Sequence, residues 1–238
     1  YKYDGYYFSK YLPSQSITDA YVSDTINCVY CDVNNKVLVG LQNGGLAEFD
    51  AASEKFSRIL NTDLSPVRLT GNTVSSILKD KLGNKWILTD RGINKIDKYH
   101  KVHKYYFSTL LNTTRRGFFA QSMTTDFRGN IWIAFHGTLC RFNTKTNRLS
   151  VFPSLCSSEF YITRVSLLKK NKLAVGTNRD GILVVDLITG ETTNFRQPDY
   201  HSNSSAVNSI NSLFTDHAGS LWSGSGYGLH QLSTTNFQ

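Results

Sequence analysis

With 238 residues, 40% of them hydrophobic and 18% charged, the chain is long enough to bury a core and too apolar to be disordered. Aromatic residues at 13%, with only one Met and four Pro, favour strands over helices. No run of about eighteen apolar residues marks a membrane span, and the formal net charge of +8 leaves two readings, solvated turn residues or attraction to a polyanion.

The chain opens with Tyr1-Lys2-Tyr3-Asp4-Gly5-Tyr6-Tyr7-Phe8 and no basic segment followed by an apolar run. No signal peptide is visible, and the start reads as a cut inside a larger protein. From Val37 onward one pattern returns: an apolar run, a turn, a second apolar run, a turn with Gly, and a third short run. The second runs are Val37–Leu41, Lys85–Thr89, Ile131–Phe135, Leu173–Thr177 and Leu221–Ser225. Their centres at positions 38, 86, 132, 174 and 222 lie 48, 46, 42 and 48 residues apart.

The flanks repeat in register. Asp32, Asp80, Asp126 and Asp216 close the first run in four copies, followed by turns such as Gly83-Asn84, Gly129-Asn130 and Gly219-Ser220. Gly45, Gly92, Gly137, Gly181 and Gly228 mark the second turn, where Gly allows positive φ. A fourth, aromatic-bearing run follows at Lys55-Phe56, Tyr105–Phe107, Val151-Phe152 and Asn194-Phe195. Short runs bounded by Gly, Asn and Asp are strand-and-hairpin grammar, and no 3.6-residue period lasts long enough for a helix.

Four short antiparallel strands about every 46 residues is the period of a β-propeller blade. The expected fold is therefore all-β, a propeller of four-stranded antiparallel blades with five repeats visible. The expected boundaries are 1–23 (the end of a preceding blade), 24–71, 72–116, 117–159, 160–204 and 205–238. One blade alone cannot bury both its faces; radial packing buries them and protects the edges. Trp86, Trp132 and Trp222 are expected as packing anchors between blades rather than stacking platforms.

The linkers at about 57–72, 108–118, 153–161 and 196–206 vary most, and variable loops on a rigid scaffold are where binding is usually placed. In a propeller they share a face with the turns between second and third strands. The candidate ligand-binding rim is therefore Arg91, Arg115, Arg116, Phe119, His136, Tyr161, Arg179 and Tyr227, with Phe118 and the polar residues Gln42, Asn43 and Asn178 beside them.

Signs of catalysis are few. No G-x-S-x-G, phosphate-binding loop or His-Glu-x-x-His is present. Asp90 and Asp180 share the rim and would need to lie about 5–10 Å apart to act as a glycosidase pair; an Asp beside a turn Gly is more simply a turn former. No catalytic residue, metal ligand or cofactor is assigned. Cys28-Val29-Tyr30-Cys31 has C-x-x-C spacing, but residues three apart on a strand point to opposite faces and do not chelate one metal. No recognition helix or RNA-binding signature accompanies the basic clusters, so no nucleic-acid partner is expected.

The repeat resembles that of the two-component regulator propeller, "V-x-x-I-x-x-D-x-x-G-x-L-W-I-G-T-x-x-G-L-x-x-x-D". The best copies run from Val74 to Asp97 and from Val207 to Leu232, and Tyr3–Phe8 is similar to the "Y-D-G-Y-x-F" that ends a repeat. Leu38 and Ala174 replace the Trp, Leu88 and Ala134 the usual Gly, and Ser223 an Ile. The resemblance covers nearly the whole chain. It implies the periplasmic sensor region of hybrid histidine kinases of gut Bacteroidetes, non-catalytic in itself, that detects an oligosaccharide or relays its binding to a kinase. It also implies contact with other domains of the same sensor, dimerisation, and attachment to the membrane only through a segment outside this sequence. By the same analogy the ring would hold about seven blades; the alternative is that Gly5–Lys10 completes the last blade and closes a ring of five. The net charge points to an acidic glycan more than a neutral one. A polysaccharide lyase or hydrolase, and a protein-interaction scaffold, are the competing functional readings.

Overall fold

The computed structural model describes residues 2–3, 5–10, 25–32, 36–50, 52–59, 68–112, 120–135, 137–152, 155, 161–169, 171–196 and 207–232. After a small hairpin, β1 (Lys2–Tyr3) with β2 (Phe8–Ser9), come five antiparallel sheets in sequence order. Blade one is β3 (Ile26–Cys31), β4 (Lys36–Leu41), β5 (Gly45–Asp50) and β6 (Lys55–Ile59). Blade two is β7 (Val74–Lys79), β8 (Lys85–Thr89), β9 (Gly92–Ile96) and β10 (Val102–Tyr106). Blade three is β11 (Ala120–Thr125), β12 (Ile131–Phe135), β13 (Thr138–Asn143) and β14 (Arg148–Val151). Blade four is β15 (Ile162–Leu167), β16 (Lys172–Thr177), β17 (Ile182–Asp186) and β18 (Thr192–Phe195). Blade five shows β19 (Ile210–Thr215), β20 (Leu221–Ser225) and β21 (Gly228–Leu232) among the described residues. The fold is the all-β propeller arrangement that the period predicts.

The core is divided among the blade interfaces. Leu38, Leu46, Val74 and Ile87 join blades one and two; Trp86, Ile93, Met123 and Phe142 join two and three; Trp132, Leu139, Ile162 and Val165 join three and four; Ala174, Ile182, Ile210 and Leu221 join four and five. Removing each such side chain from water contributes about 1.5–3 kcal/mol, so neighbouring blades stabilise one another.

First strands lie next to first strands along the array. Each carries a bulge at the same place, between Ile26 and Cys28, Val74 and Ser76, Ala120 and Ser122, Ile162 and Arg164, and Ile210 and Ser212. The bulge residue turns its side chain to the next blade: Asn27 donates to the carbonyl of Val74 at 3.2 Å, Ser75 to Ala120 at 2.6 Å and Thr163 to Ile210 at 2.6 Å. A bulge leaves one residue out of the ladder and re-aims it; here that residue ties blade to blade.

The turn after the first strand explains the Asp–Trp spacing. Gly83 and Gly129 take positive φ of 84° and 82°. Asp80 Oδ1 then accepts from the Leu82 and Asn84 amides, and its Oδ2 accepts from the Trp86 indole at 2.8 Å. Asp126 with Trp132 and Asp216 with Trp222 repeat the bond at 3.0 and 2.9 Å. Blade one has Leu38 in place of Trp, and its buried Asp32 takes Lys79 and Lys85 of blade two at 3.0 and 3.1 Å.

One feature differs from the sequence reading, and two others mark the ends of the array. Phe107–Leu110 forms a single helical turn in the linker after β10, where no helix is expected; it drives Phe107 into the core against Phe135, ring centroids 5.0 Å apart. Among the described residues β2 hydrogen-bonds to β1 and β21 has only β20 beside it. At the two ends of the array the repeated core slots are open. Ile26 is 57% exposed where Val74, Ala120, Ile162 and Ile210 are buried, and Leu229 is 69% exposed where Leu46, Ile93, Leu139 and Ile182 are buried.

Candidate functional site

The alternating strand directions send the linkers and the turns between second and third strands to one face, called upper here. The two kinds of loop are bonded to each other. The Tyr161 amide donates to Asn178 Oδ1 at 2.8 Å, and the Asn178 amide returns a bond to the Tyr161 carbonyl at 3.1 Å. Asp90 and Thr73, and Gln42 and Thr25, are joined in the same way through backbone bonds of 3.0 and 2.9 Å. The bonds also cross between blades: Gly45 donates to the Asn72 carbonyl at 2.7 Å and Gly181 to the Asn208 carbonyl at 2.9 Å. In blades two and four a buried Thr braces the turn, Thr89 accepting from the Gly92 amide and Thr177 from the Asp180 amide. The rim is thus a set of exposed side chains on stiff turns.

Arg91, Tyr161, Arg179 and Tyr227 are all exposed on this face. Arg115, Arg116, Phe119 and His136, with Phe118, lie outside the described residues. Asp90 does not stand as a free carboxylate: its Oδ1 accepts from the Thr73 amide at 3.2 Å and its Oδ2 faces Arg91 Nε at 3.8 Å. Asp180 faces Arg196 at 3.4 Å. Both rim acids are therefore engaged by their neighbours, and two rim cations, Arg91 and Arg196, are balanced locally.

Sequence reasoning missed Arg164, near the upper end of β15. Its Nη1 donates to the carbonyl of Thr163 at 2.8 Å and to Gln121 Oε1 of blade three at 3.4 Å. Burial lowers its pKa. Burial likewise pushes the Cys28 thiol up to about 11, against the opposing pull of the Gly40 amide and the Arg164 charge. The Arg164 charge of blade four is thus felt at Cys28 of blade one. The signal was there: the matching positions are Cys28, Ser76, Ser122 and Ser212, all small.

A cleft of about 350 Å³ opens between blades four and five, with Arg196, Asn208, Ser223 and His230 among its lining. Ser223 fills the slot that Val39, Ile87, Ile133 and Val175 hold elsewhere, and His230 is its cross-strand partner. Polar groups here replace the repeat's apolar packing.

Cys28 and Cys31 do not converge on one point. Cys28 is half-buried, Cys31 is exposed, and both are free thiols on alternate sides of β3. No group of three or more His, Cys, Asp or Glu is arranged to hold a metal among the described residues.

No family model matches the chain, and no curated protein does. Solved structures are similar. The extracellular domain assigned to hybrid two-component system BT4673 of B. thetaiotaomicron aligns with a TM-score of 0.71 at 20% identity, over 87% of this chain and 27% of that one. That assigned to BT3049 of the same organism aligns with a TM-score of 0.59 at 22% identity, over 94% and 35%. Virginiamycin B lyase from Staphylococcus aureus aligns with a TM-score of 0.68 at 14% identity, over 88% and 67%. The chain spans little more than a quarter of the first of these. At such identities the likeness shows the fold. Among the described residues no helix is long and apolar enough to cross a membrane.

Proposed function

We propose that this propeller is a non-catalytic, periplasmic sensor domain of a two-component signalling protein, and that it reads an oligosaccharide at its upper rim or relays its binding to a kinase. The observation that carries the reading is the rim itself. Variable linkers are locked to second-to-third-strand turns by reciprocal hydrogen bonds, and present Tyr161, Arg179 and Tyr227 to solvent from a stiff base. Exposed aromatic rings and planar donors suit stacking on, and hydrogen bonding to, a sugar. The likeness to two extracellular sensor domains supports the signalling context, and the repeat supports the kinase class by resemblance.

Of the described rim cations, Arg91 and Arg196 face Asp90 and Asp180, while Arg179 has no carboxylate within ion-pair distance among the described residues. Stacking, hydrogen bonding and the Arg179 charge suit a neutral or an acidic oligosaccharide.

The likeness to a lyase keeps an enzymatic reading in view. One experiment separates the two: incubation with neutral and acidic oligosaccharides, followed by both calorimetry and product analysis. Heat of binding without new products supports the sensor; release of any unsaturated or shortened sugar overturns it.

A further inference from the structure

The opposite, lower face carries a different surface. It is formed by the turns after first and third strands, and in blades two and three the acids of those turns are held by the turns themselves. In blades two and three, Asp80 and Asp126 bind their own turn amides and an indole. Asp97 accepts from the Tyr99 and Lys101 amides at 2.9 and 3.0 Å and pairs with His103 at 3.1 Å. The cations of the same turns point outward. Lys81, Lys98, Lys101, Arg128, Lys145 and Arg148 are exposed, and among the described residues none has a carboxylate within ion-pair distance. With these six cations set against Asp80, Asp97 and Asp126, the lower turns of blades two and three present mainly positive charge to solvent.

Large apolar side chains stand among these cations. Leu82 is 81% exposed, Tyr99 77% and Phe127 45%. Lys98 lies over the Tyr99 ring at 5.0 Å and Arg128 over the Phe127 ring at 5.4 Å. Leu82 and Phe127 occupy the same turn in adjacent blades, one residue from Lys81 and Arg128 respectively. Beside Phe127 a shallow cavity of about 310 Å³ reaches Lys169 and Asp216 of blades four and five.

We propose that the lower face docks on an anionic phospholipid bilayer, with Leu82, Tyr99 and Phe127 entering the headgroup layer and the surrounding Lys and Arg facing lipid phosphate. Charge complementarity selects an anion, and Leu82 selects the source. A leucine tip neither stacks on a ring nor hydrogen-bonds, so a soluble polyanion gains nothing from it, whereas a bilayer's apolar boundary does. Each Lys or Arg near an anionic surface contributes about fivefold in affinity, and the attraction falls off within a Debye length.

The test is co-sedimentation of the full chain with vesicles of phosphatidylcholine alone and of an equal phosphatidylcholine–phosphatidylglycerol mixture, with dextran sulfate as the soluble polyanion. Binding to the mixed vesicles only, lost at high salt, is expected. Lys81→Glu with Lys98→Glu and Arg128→Glu should lower it by about a hundredfold or more, Leu82→Ser severalfold, and Arg91→Glu on the upper face not at all. If the triple variant does not fold, Lys98→Gln with Lys145→Gln in the outer turns serves, with a fall of about twentyfold expected. Absence of vesicle binding, equal binding by these variants, or equal loss with Arg91→Glu overturns the proposal. Binding that Leu82→Ser leaves unchanged, or binding to dextran sulfate alone, overturns the choice of a bilayer.

Discussion

The indole Nε1 of Trp86 donates to Oδ2 of Asp80 across 2.8 Å, and the same carboxylate holds the Leu82 and Asn84 amides through its other oxygen. One side chain thus shapes the turn and orients the largest residue of the blade two–three interface. Asp80→Asn keeps the turn acceptor but sets an amide N–H or a weaker acceptor against the indole. We expect a loss of about 1–3 kcal/mol in urea unfolding. The fourth repeat, with Leu168 and Ala174 at these positions, does without both groups, so Asp80→Leu with Trp86→Ala should cost less than the two single changes added together. Strict additivity would contradict the pairing.

Acid should weaken the fold in a defined window. For Asp80, burial raises the pKa, but the bonds from Asn84 and Trp86 outweigh it and hold the carboxyl below its ordinary value. Asp97 is lowered chiefly by His103, Asp186 by the Ile188 amide and Asp216 by the Trp222 indole. A carboxyl with a depressed folded pKa contributes stability above its unfolded value, and loses it as pH falls through the folded one. The urea midpoint should therefore be flat from neutral pH to about 5 and fall below about 4. The fall should be shallower in Asp80→Asn; a midpoint that drops between about pH 7 and 5 would contradict this.

Two turn glycines with similar backbones should respond differently to alanine. Gly137 and Gly181 have φ of 76° and 68°, so a side chain is strained at both, by about 1–2 kcal/mol. A Cβ at Gly137 meets nothing within 4 Å, whereas at Gly181 it meets the Phe195 carbonyl oxygen. Gly181→Ala should lower the melting temperature clearly more than Gly137→Ala.

The thiols should react in order of access. Cys31 is exposed and should be alkylated before Cys28 and Cys140 in the native protein. Burial pushes Cys28 and Cys140 up to about 11 and about 12, so both should label only as the chain unfolds. Mass spectrometry after a brief iodoacetamide pulse at neutral pH checks the order, and early labelling of Cys140 would contradict the burial of the blade-three core.

What was legible in the sequence follows from what repeats. The runs centred on 38, 86, 132, 174 and 222 became β4, β8, β12, β16 and β20, because alternation and turn residues act locally and recur in register. The Asp and Trp positions were legible as architecture for the same reason. The bulge residues Asn27, Ser75 and Thr163 were not, since a polar residue in an alternating strand looks solvent-facing until the next blade supplies its acceptor. The Phe107–Leu110 turn is too short for any helical period to show. Charge misled most. The sequence total assigns no face, and only the turn geometry shows that Asp80, Asp97 and Asp126 are used up while Lys81, Lys98 and Arg128 are not. Of the rim, Arg91, Tyr161, Arg179 and Tyr227 were legible from loop position, whereas the pairing of Arg91 with Asp90 needed coordinates.

The central claim is that the upper rim reads an oligosaccharide, and hydrogen exchange with and without a binding sugar tests it most directly. Protection is expected in peptides covering 89–92, 161–163 and 177–181, and it should weaken in Arg179→Ala. Protection confined to the lower turns at 80–84 and 97–101, or none in the rim despite measurable binding, would contradict it.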